Sequence, residues 1–564
     1  MTIGNPSARL CTLGIWLVPG LLPAIWGWTA GSRAIGRRTG DLVSHIWALW
    51  NGGQSDPTRT VLFGWPDGID LLPIYGGWLH TFVGTVFVRA GAEPVSAYTA
   101  VICIWLLVAG LGGTALARAV GSGSLGALVG GLLLQLDGFV LYSAMDGRPE
   151  HAGLGFTALA LAAAIALWKT GGRRVIVGTA ALGALVFVVS WEHALWLALA
   201  LGWLAPWLVW TTAEGRRPAI LRWSWAGLAA GMLAAPWIGL FFSRALAVRD
   251  VAEGHGTLLF SVDQAIALGD WLVIPGGHPG RGLVLLAGGL PFLVPRAKRT
   301  LAWGVVLGLV LSVVLALGPS PGFWRSGDLW TSAQGQPVLW GPFARMQQLP
   351  VLGWFHSPGR LAMGVSMAVA AGGALLVDRV VRWRLAAGLA LALALPVYAG
   401  TEAWMAGNWP RPAFDLPSFP EVATLASRPE QGGVLALPPA LQGHEHEQRV
   451  VFQLLHQRPI LGHIYLPHLA RDQTPDLLRE VPFFAWVAGV PELRGQPAPE
   501  WTASNLATLR RFKIAFVTVH RREIAPDQRA EVLAKLTHIF GKPVAHRSGV
   551  WTAFAVPPAD GDEP

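Results

Sequence analysis

Apolar runs long enough to cross a bilayer recur along this chain, separated by short polar joints. Crossing ~30 Å of hydrocarbon takes about 20 helical residues. Such runs lie near 10–28, 94–117, 122–142, 153–168, 175–191, 194–210, 223–243, 281–295, 301–318, 361–377 and 385–400. The pattern predicts about eleven spans. A further stretch, 72–90, carries Pro73, Gly76, Gly77, His80 and Gly84, which suits a segment lying in the interface or entering partway. The first run has Gly and Pro inside and no small-residue cleavage site, so it reads as a retained span rather than a signal peptide.

Beyond 401 the pattern turns polar. Short β-type runs appear at 434–438 (VLALP), 513–519 (KIAFVTV) and 550–556 (VWTAFAV), with helix-like stretches between them, including 526–540. The expected class is mostly α: a polytopic membrane helix bundle over 1–400, followed by a small α/β domain over 401–564.

Basic residues set the orientation. Arg118, Arg173–Arg174, Arg216–Arg217, Arg296–Lys298–Arg299 and Arg379–Arg382–Arg384 occupy alternate joints, and positive charge collects on the cytoplasmic side. The N-terminus is then cytoplasmic. The long first loop, 30–72, and the C-terminal domain are extracytoplasmic, provided 72–90 does not span. Arg33, Arg37 and Arg38 run against that assignment, although long loops weaken the rule. The reading is a multi-pass protein of a bacterial-type cytoplasmic (inner) membrane.

Composition agrees. The chain of 564 residues is 53% hydrophobic and 13% charged, with a mean hydropathy of +0.46. Soluble domains are roughly half apolar and a quarter charged. The net charge of +9 sits in clusters at span ends, which suits anionic headgroups and gives no reason to expect nucleic acid. Cys11 and Cys103 both lie in apolar spans, so neither a disulfide framework nor a zinc site is expected. No GxxxxGK[ST] or HExxH pattern occurs, which argues against an ATP-driven pump and a metalloprotease-type helix. No internal repeat of the transporter kind is evident.

Candidate chemistry gathers on the predicted outer face. The stretch Gly40–Pro73 holds Asp41, Asp56, Asp67 and Asp70. Asp41 and His45 stand four apart, so a helix there puts them on one face. A carboxylate beside an imidazole can act as a general base or bind a metal; the plainer reading is a helix N-cap at Asp41 with a solvated His45. MDGRPEH supplies Asp146, Arg148, Glu150 and His151, and SWEH supplies Glu192 and His193. Taken singly, Glu192 and His193 read as solvated span-end residues. Asp146 and Glu150, four apart at a helix mouth, are stronger candidates to complete a metal site or orient an acceptor hydroxyl. The later loops add Arg244, Arg345, His356 and Arg360. HEHEQRV (444–450) reads as a solvated polar strand or turn before it reads as a ligand set.

Together these features resemble the GT-C superfamily of membrane glycosyltransferases, in particular the branch of protein mannosyltransferases and of enzymes that add aminoarabinose to lipid A. Gly40-Asp41 fits the family's first-loop aspartate, LLPIYGGWLH (71–80) its Pro-led interfacial helix, and SAMDG (143–147) its second acidic mouth. FHSPGRLAMGVSMAVAAGGALL (355–376) looks like a late-span motif of its uncharacterised bacterial members. The paired acidic residues seen at the first-loop aspartate of many mannosyltransferases are absent, since Gly40 precedes Asp41.

The resemblance implies a sugar donor on a polyprenyl phosphate and an acceptor glycan, lipid or protein, reacting at the outer membrane face. Asp41 would be the general base, with Asp146 a second catalytic carboxylate. His45, Glu150 and His151 would line the substrate site. Arg360 with Arg345 or His356, and then Arg244, would neutralise the leaving phosphate. A Mg²⁺ or Mn²⁺ held by Asp146 and Glu150 would do the same work. Trp47, Trp50, Trp65 and Trp354 could stack on sugars, although an interfacial aromatic belt accounts for most such residues. The alternatives are a lipid-linked saccharide transporter or flippase, a non-catalytic envelope-assembly protein, and an O-antigen polymerase or ligase.

Overall fold

The computed structural model describes residues 6–558 except 38, 64–67, 72–76, 170, 212–215, 248–287, 289–290, 292–298, 318–341, 348–357, 416–418, 439–444, 462–473, 491–492, 494 and 548. The N-terminal part comprises α1 (Pro6–Ala30), α2 (Gly40–Gln54), α3 (Leu79–Arg89), α4 (Pro94–Ala119), α5 (Ser124–Gln135), α6 (Gly138–Met145), α7 (Pro149–Ala152), α8 (Leu154–Lys169), α9 (Arg173–Val189), α10 (Trp191–Thr211), α11 (Arg216–Ala247), α12 (Arg299–Ala316), α13 (Met363–Trp383) and α14 (Leu385–Met405).

Among the described residues, six helices are long and apolar enough to cross a membrane: Pro94–Ala119, Ser124–Met145, Pro149–Lys169, Arg217–Arg244, Gly359–Trp383 and Leu385–Met405. Leu17–Ala30 and Ala302–Ala316 are shorter apolar helices. The protein is a multi-pass membrane protein. Eleven spans are not reached on this count. The runs at 175–191 and 194–210 form α9 and α10, and 281–295 falls almost wholly outside the described residues. The 72–90 stretch contributes only α3, whose 11 residues rise about 16 Å, roughly half the hydrocarbon thickness.

Close helix packing follows from small residues. A Cβ on Gly112 of α4 would come within 2.3 Å of Gly155 O on α8, so these two backbones touch. A polar clasp holds α1. Pro23 has no N–H to give to the carbonyl four residues earlier, and that carbonyl, Pro19 O, accepts from Gln135 Nε2 at 2.6 Å. The same amide nitrogen donates to Leu106 O at 3.0 Å. Gln135→Leu is expected to leave the Pro19 carbonyl unsatisfied and to lower stability by about 1–3 kcal/mol, read as a lower unfolding temperature in detergent.

The C-terminal part carries a four-stranded sheet of β5 (Gly433–Leu437), β6 (Ile514–His520), β7 (Ala545–Arg547) and β8 (Trp551–Ala555), in the order β5-β6-β8-β7. β5 and β6 run parallel and the other pairs antiparallel. Three of these strands fall on the β-type runs of the sequence. HEHEQRV, read above as strand or turn, instead opens the helix α15 (Glu445–His456). The first loop is fastened to this part. β1 (Ala34–Ile35) pairs antiparallel with β4 (Pro412–Phe414), while within the loop β2 (Arg59–Thr60) pairs with β3 (Ile69–Asp70); α15 packs on α2, and Ile460 N donates to Leu62 O at 2.9 Å. Arg37 donates to Gly407 O at 2.8 Å and to Asn408 Oδ1 at 2.6 Å. Its guanidinium ties the first loop to the segment after α14.

His456 and His520 are buried in the C-terminal part. Burial, helped by Arg458 for His456 and by Arg449 and His456 for His520, lowers both to about 3 from an ordinary 6.5. Below pH 6.5 the unfolded chain takes up protons that the folded one refuses until about pH 3. Stability is therefore whole above that window and falls as pH drops through it, by up to ~1.4 kcal/mol per pH unit for each histidine. Hydrogen exchange of the β6 amides at pH 7 and pH 5 measures this. A pH-independent opening free energy would contradict it.

Candidate active site

The N-terminus of α2 is built by Thr39, not by Asp41. The Thr39 hydroxyl accepts from Leu42 N at 3.2 Å and donates to Asp146 O at 2.8 Å. The N-cap reading of Asp41 is thus corrected, and its carboxylate is left for other work in the first turn. Arg148 Nε donates to Asp41 Oδ2 at 2.8 Å, and Arg148 Nη2 lies 3.1 Å from Asp146 Oδ2. One guanidinium spans two carboxylates at a mouth where Asp41 keeps 32% of its side chain exposed. Burial raises Asp146 above the usual carboxylate range, with Arg148 pulling against it and Asp41 adding to it.

Gly147 makes this apposition possible. It adopts φ +82°, and a Cβ there would stand 2.3 Å from Leu42 N.

Beneath the mouth lies a buried chain of imidazoles and carboxylates drawn from four segments. His80 Nε2 meets His45 Nδ1 at 2.9 Å, and His45 Nε2 lies 3.4 Å from Glu150 Oε2. Glu150 Oε1 is 3.5 Å from His151 Nε2, and His151 Nδ1 is 3.5 Å from Glu192 Oε2. Arg360 closes the chain at 2.6 Å from Glu192 Oε1. His193 lies beside His151, the rings tilted at 47° with centroids 6.0 Å apart. Burial drives His45 down to about 4, with Asp41 opposing and Arg148 assisting; burial and His45 hold His80 well below 6.5. Both rings are neutral near pH 7. Gly77 lets the α3 segment come this close, since a Cβ there would lie 1.8 Å from Val189 O and 2.8 Å from Glu150 Cβ.

Of the site residues expected from sequence, Asp41, His45, Asp146, Glu150, His151 and Arg360 share this one end of the bundle. Arg244 engages Asp70 at 2.8 Å, and Arg345 is exposed on the short helix Pro342–Gln347. His356 lies outside the described residues, as do Trp65 and Trp354. Trp47 and Trp50 are buried rather than placed for sugars or lipid, with Trp47 packed on Phe63 at 4.2 Å. Sequence reasoning set aside Glu192 and His193 as solvated, but they are 3% and 0% exposed. It also left His80 and Arg148 unassigned. The signal available for Glu192 was the cost of a carboxylate at a span mouth.

The oxygen-rich Mg²⁺ or Mn²⁺ pair expected at Asp146 and Glu150 does not fit this geometry. Asp146 turns to Arg148 and Glu150 to imidazoles, whereas Mg²⁺ favours six oxygen ligands.

Compared by sequence, no protein-family model and no curated protein matches the chain. Compared by fold, solved membrane enzymes match most of it. The arabinofuranosyltransferase AftD from Mycobacteria superposes with a TM-score of 0.58 at 14% identity, over 97% of this chain and 40% of that one. The archaeal oligosaccharyltransferase AglB from Archaeoglobus fulgidus, solved with an inhibitory peptide and a dolichol-phosphate, gives 0.51 at 12% identity, over 94% of this chain and 71% of that one. ArnT from Cupriavidus metallidurans, bound to undecaprenyl phosphate, gives 0.50 at 13%, over 97% of this chain and 98% of that one.

The chain has the GT-C fold. It spans well under half the length of AftD and nearly the whole of ArnT. Within this GT-C fold, the first-loop helix α2, the α6–α7 mouth, the start of α10 and the turn before α13 deliver the charged side chains together.

Proposed function

We propose that this protein is an inverting glycosyltransferase, moving a sugar from a polyprenyl phosphate to an acceptor hydroxyl at the extracytoplasmic face of the inner membrane. The N-terminus lies in the cytoplasm on this reading. The observation that supports it is the meeting of Asp41, Asp146 and Arg148 at a half-open mouth of a GT-C fold. Neighbouring enzymes solved with dolichol-phosphate and undecaprenyl phosphate lend the donor class.

Asp41 is the general base. It takes the proton of the acceptor hydroxyl as that oxygen bonds to the anomeric carbon, and the bond from that carbon to the phosphate oxygen breaks with its electron pair leaving on the phosphate. Arg148 clamps Asp41 in the free enzyme. A donor phosphate competes for the guanidinium, because Arg forks bind phosphate as readily as carboxylate, and its arrival frees Asp41 to accept a proton. Asp146 keeps Arg148 in place during this exchange, and Arg360 adds positive charge below. His45, Glu150 and His151 back the site, while Arg244, Arg345 and His356 are further donor contacts to test.

The experiment is turnover in proteoliposomes with radiolabelled polyprenyl-phosphate hexoses and pentoses, scoring release of polyprenyl phosphate so that the acceptor need not be known. Release with inverted configuration at the sugar supports the proposal. Retained configuration, or no release by folded protein from any donor with membrane extract as acceptor, would sink it.

A further inference from the structure

Glu150 differs from the other carboxylates of the site. Asp41 and Asp146 share Arg148, and Glu192 has Arg360, but the partners of Glu150 are both imidazoles, His45 and His151. It is 8% exposed, and its Oε2 lacks a hydrogen-bond partner. A carboxylate taken out of water without a cation is costly, by several kcal/mol in real proteins.

The neighbouring histidines carry the complementary anomaly. His45 Nδ1 and His80 Nε2 face each other at 2.9 Å, with Thr81 Oγ1 also 3.1 Å from His80 Nε2, while His80 Nδ1 is buried without a partner. Whichever tautomer His80 adopts, one of its polar atoms is left unmet or poorly met. His45, His80 and Glu150 can each offer one ligand atom, all within 4.8 Å of one another.

We propose that His45, His80 and Glu150 form a binding site for a divalent cation of the Zn²⁺ class. Two imidazoles and one carboxylate are a donor set that suits Zn²⁺ and disfavours Mg²⁺ and Ca²⁺, which seek oxygen. Its double charge answers a carboxylate that, among the described residues, has no guanidinium in contact with it. The surroundings fit as well. The second oxygen of Glu150 faces His151, and His151 faces Glu192, which Arg360 anchors. Partners of this kind orient metal ligands and are part of such sites. Because the three ligands come from α2, α3 and α7, the ion clamps the first-loop helix and the non-spanning helix onto the mouth. Absence of a cysteine pattern says nothing against a site made of imidazoles. The proposal does not depend on the transferase reading, since its test is metal binding.

The full-length protein, purified in detergent and stripped with chelator, is to be reloaded with Zn²⁺ or with Co²⁺ as a spectroscopic probe, then desalted. The expected result is about one ion per chain and visible Co²⁺ absorption of a low-coordinate site. His80→Ala and Glu150→Gln should lose the ion, and His193→Ala should retain it. Should His80→Ala fail to fold, His80→Cys tests the same ligand, because a coordinated thiolate adds a near-ultraviolet charge-transfer band. No stoichiometric ion in the wild type would overturn the proposal. So would binding that survives Glu150→Gln with unchanged absorption, or binding that disappears on replacing His444 and His446.

Discussion

Asp41→Asn is expected to lower the rate of sugar transfer by about 100- to 10,000-fold, the range that a positioned general base contributes. The change preserves shape and removes the lone pair that accepts the proton. It does not strand a buried charge. Asp41 is a third exposed, and Arg148 keeps its contact with Asp146 at 3.1 Å. The variant should therefore fold and bind donor, so the loss should fall on turnover rather than on binding. Transfer assays in membranes with radiolabelled donor, beside a donor-binding measurement, check both halves. Equal transfer by the two proteins would remove Asp41 from the role and direct attention to Asp146, whose burial already raises its affinity for a proton.

Much of this architecture was legible because membrane helices and buried strands announce themselves by composition alone. The runs at 94–117 and 385–400 are α4 and α14, and KIAFVTV supplies all but the last residue of β6, whose seven residues are all buried. The site was legible only in part. Asp41 and His45 share a face by helical spacing, and Asp146 and Glu150 sit at a helix mouth. No spacing rule says that Asp146 turns outward to Arg148 while Glu150 turns inward to His45. That division depends on the backbone reversal at Gly147 and on tertiary packing. Glu192 and His193 look like ordinary span-end polar residues until α10 is placed beside α7. His80 was hidden in a segment whose relation to the membrane was itself open. Trp47 illustrates the opposite error, since a Trp in a long loop reads as exposed, yet it is wholly buried against Phe63.

Gly147→Ala should damage both stability and activity, by about 2–5 kcal/mol and most of the turnover. Two costs add. An alanine held at φ +82° pays the left-handed backbone penalty of about 1–2 kcal/mol. Its Cβ also falls 2.3 Å from Leu42 N and 2.5 Å from Leu42 Cα, atoms of a helix backbone that cannot step aside as a flexible side chain can. Relieving that overlap adds about 1–3 kcal/mol of strain and pushes the first turn of α2 off the mouth. The bonds lost are Thr39 to Asp146 O and Arg148 to Asp41, which are the ones that fix the base. Gly31→Ala separates the two costs. Gly31 has φ +59° with nothing within 4 Å of an added Cβ, so it carries the backbone penalty alone. Thermal unfolding in detergent should place Gly147→Ala clearly below Gly31→Ala, and only the former should lose transfer. If the two variants unfold together and both stay active, α2 does not rest on Gly147, and the apposition of Asp41, Asp146 and Arg148 on which the catalytic proposal stands is wrong.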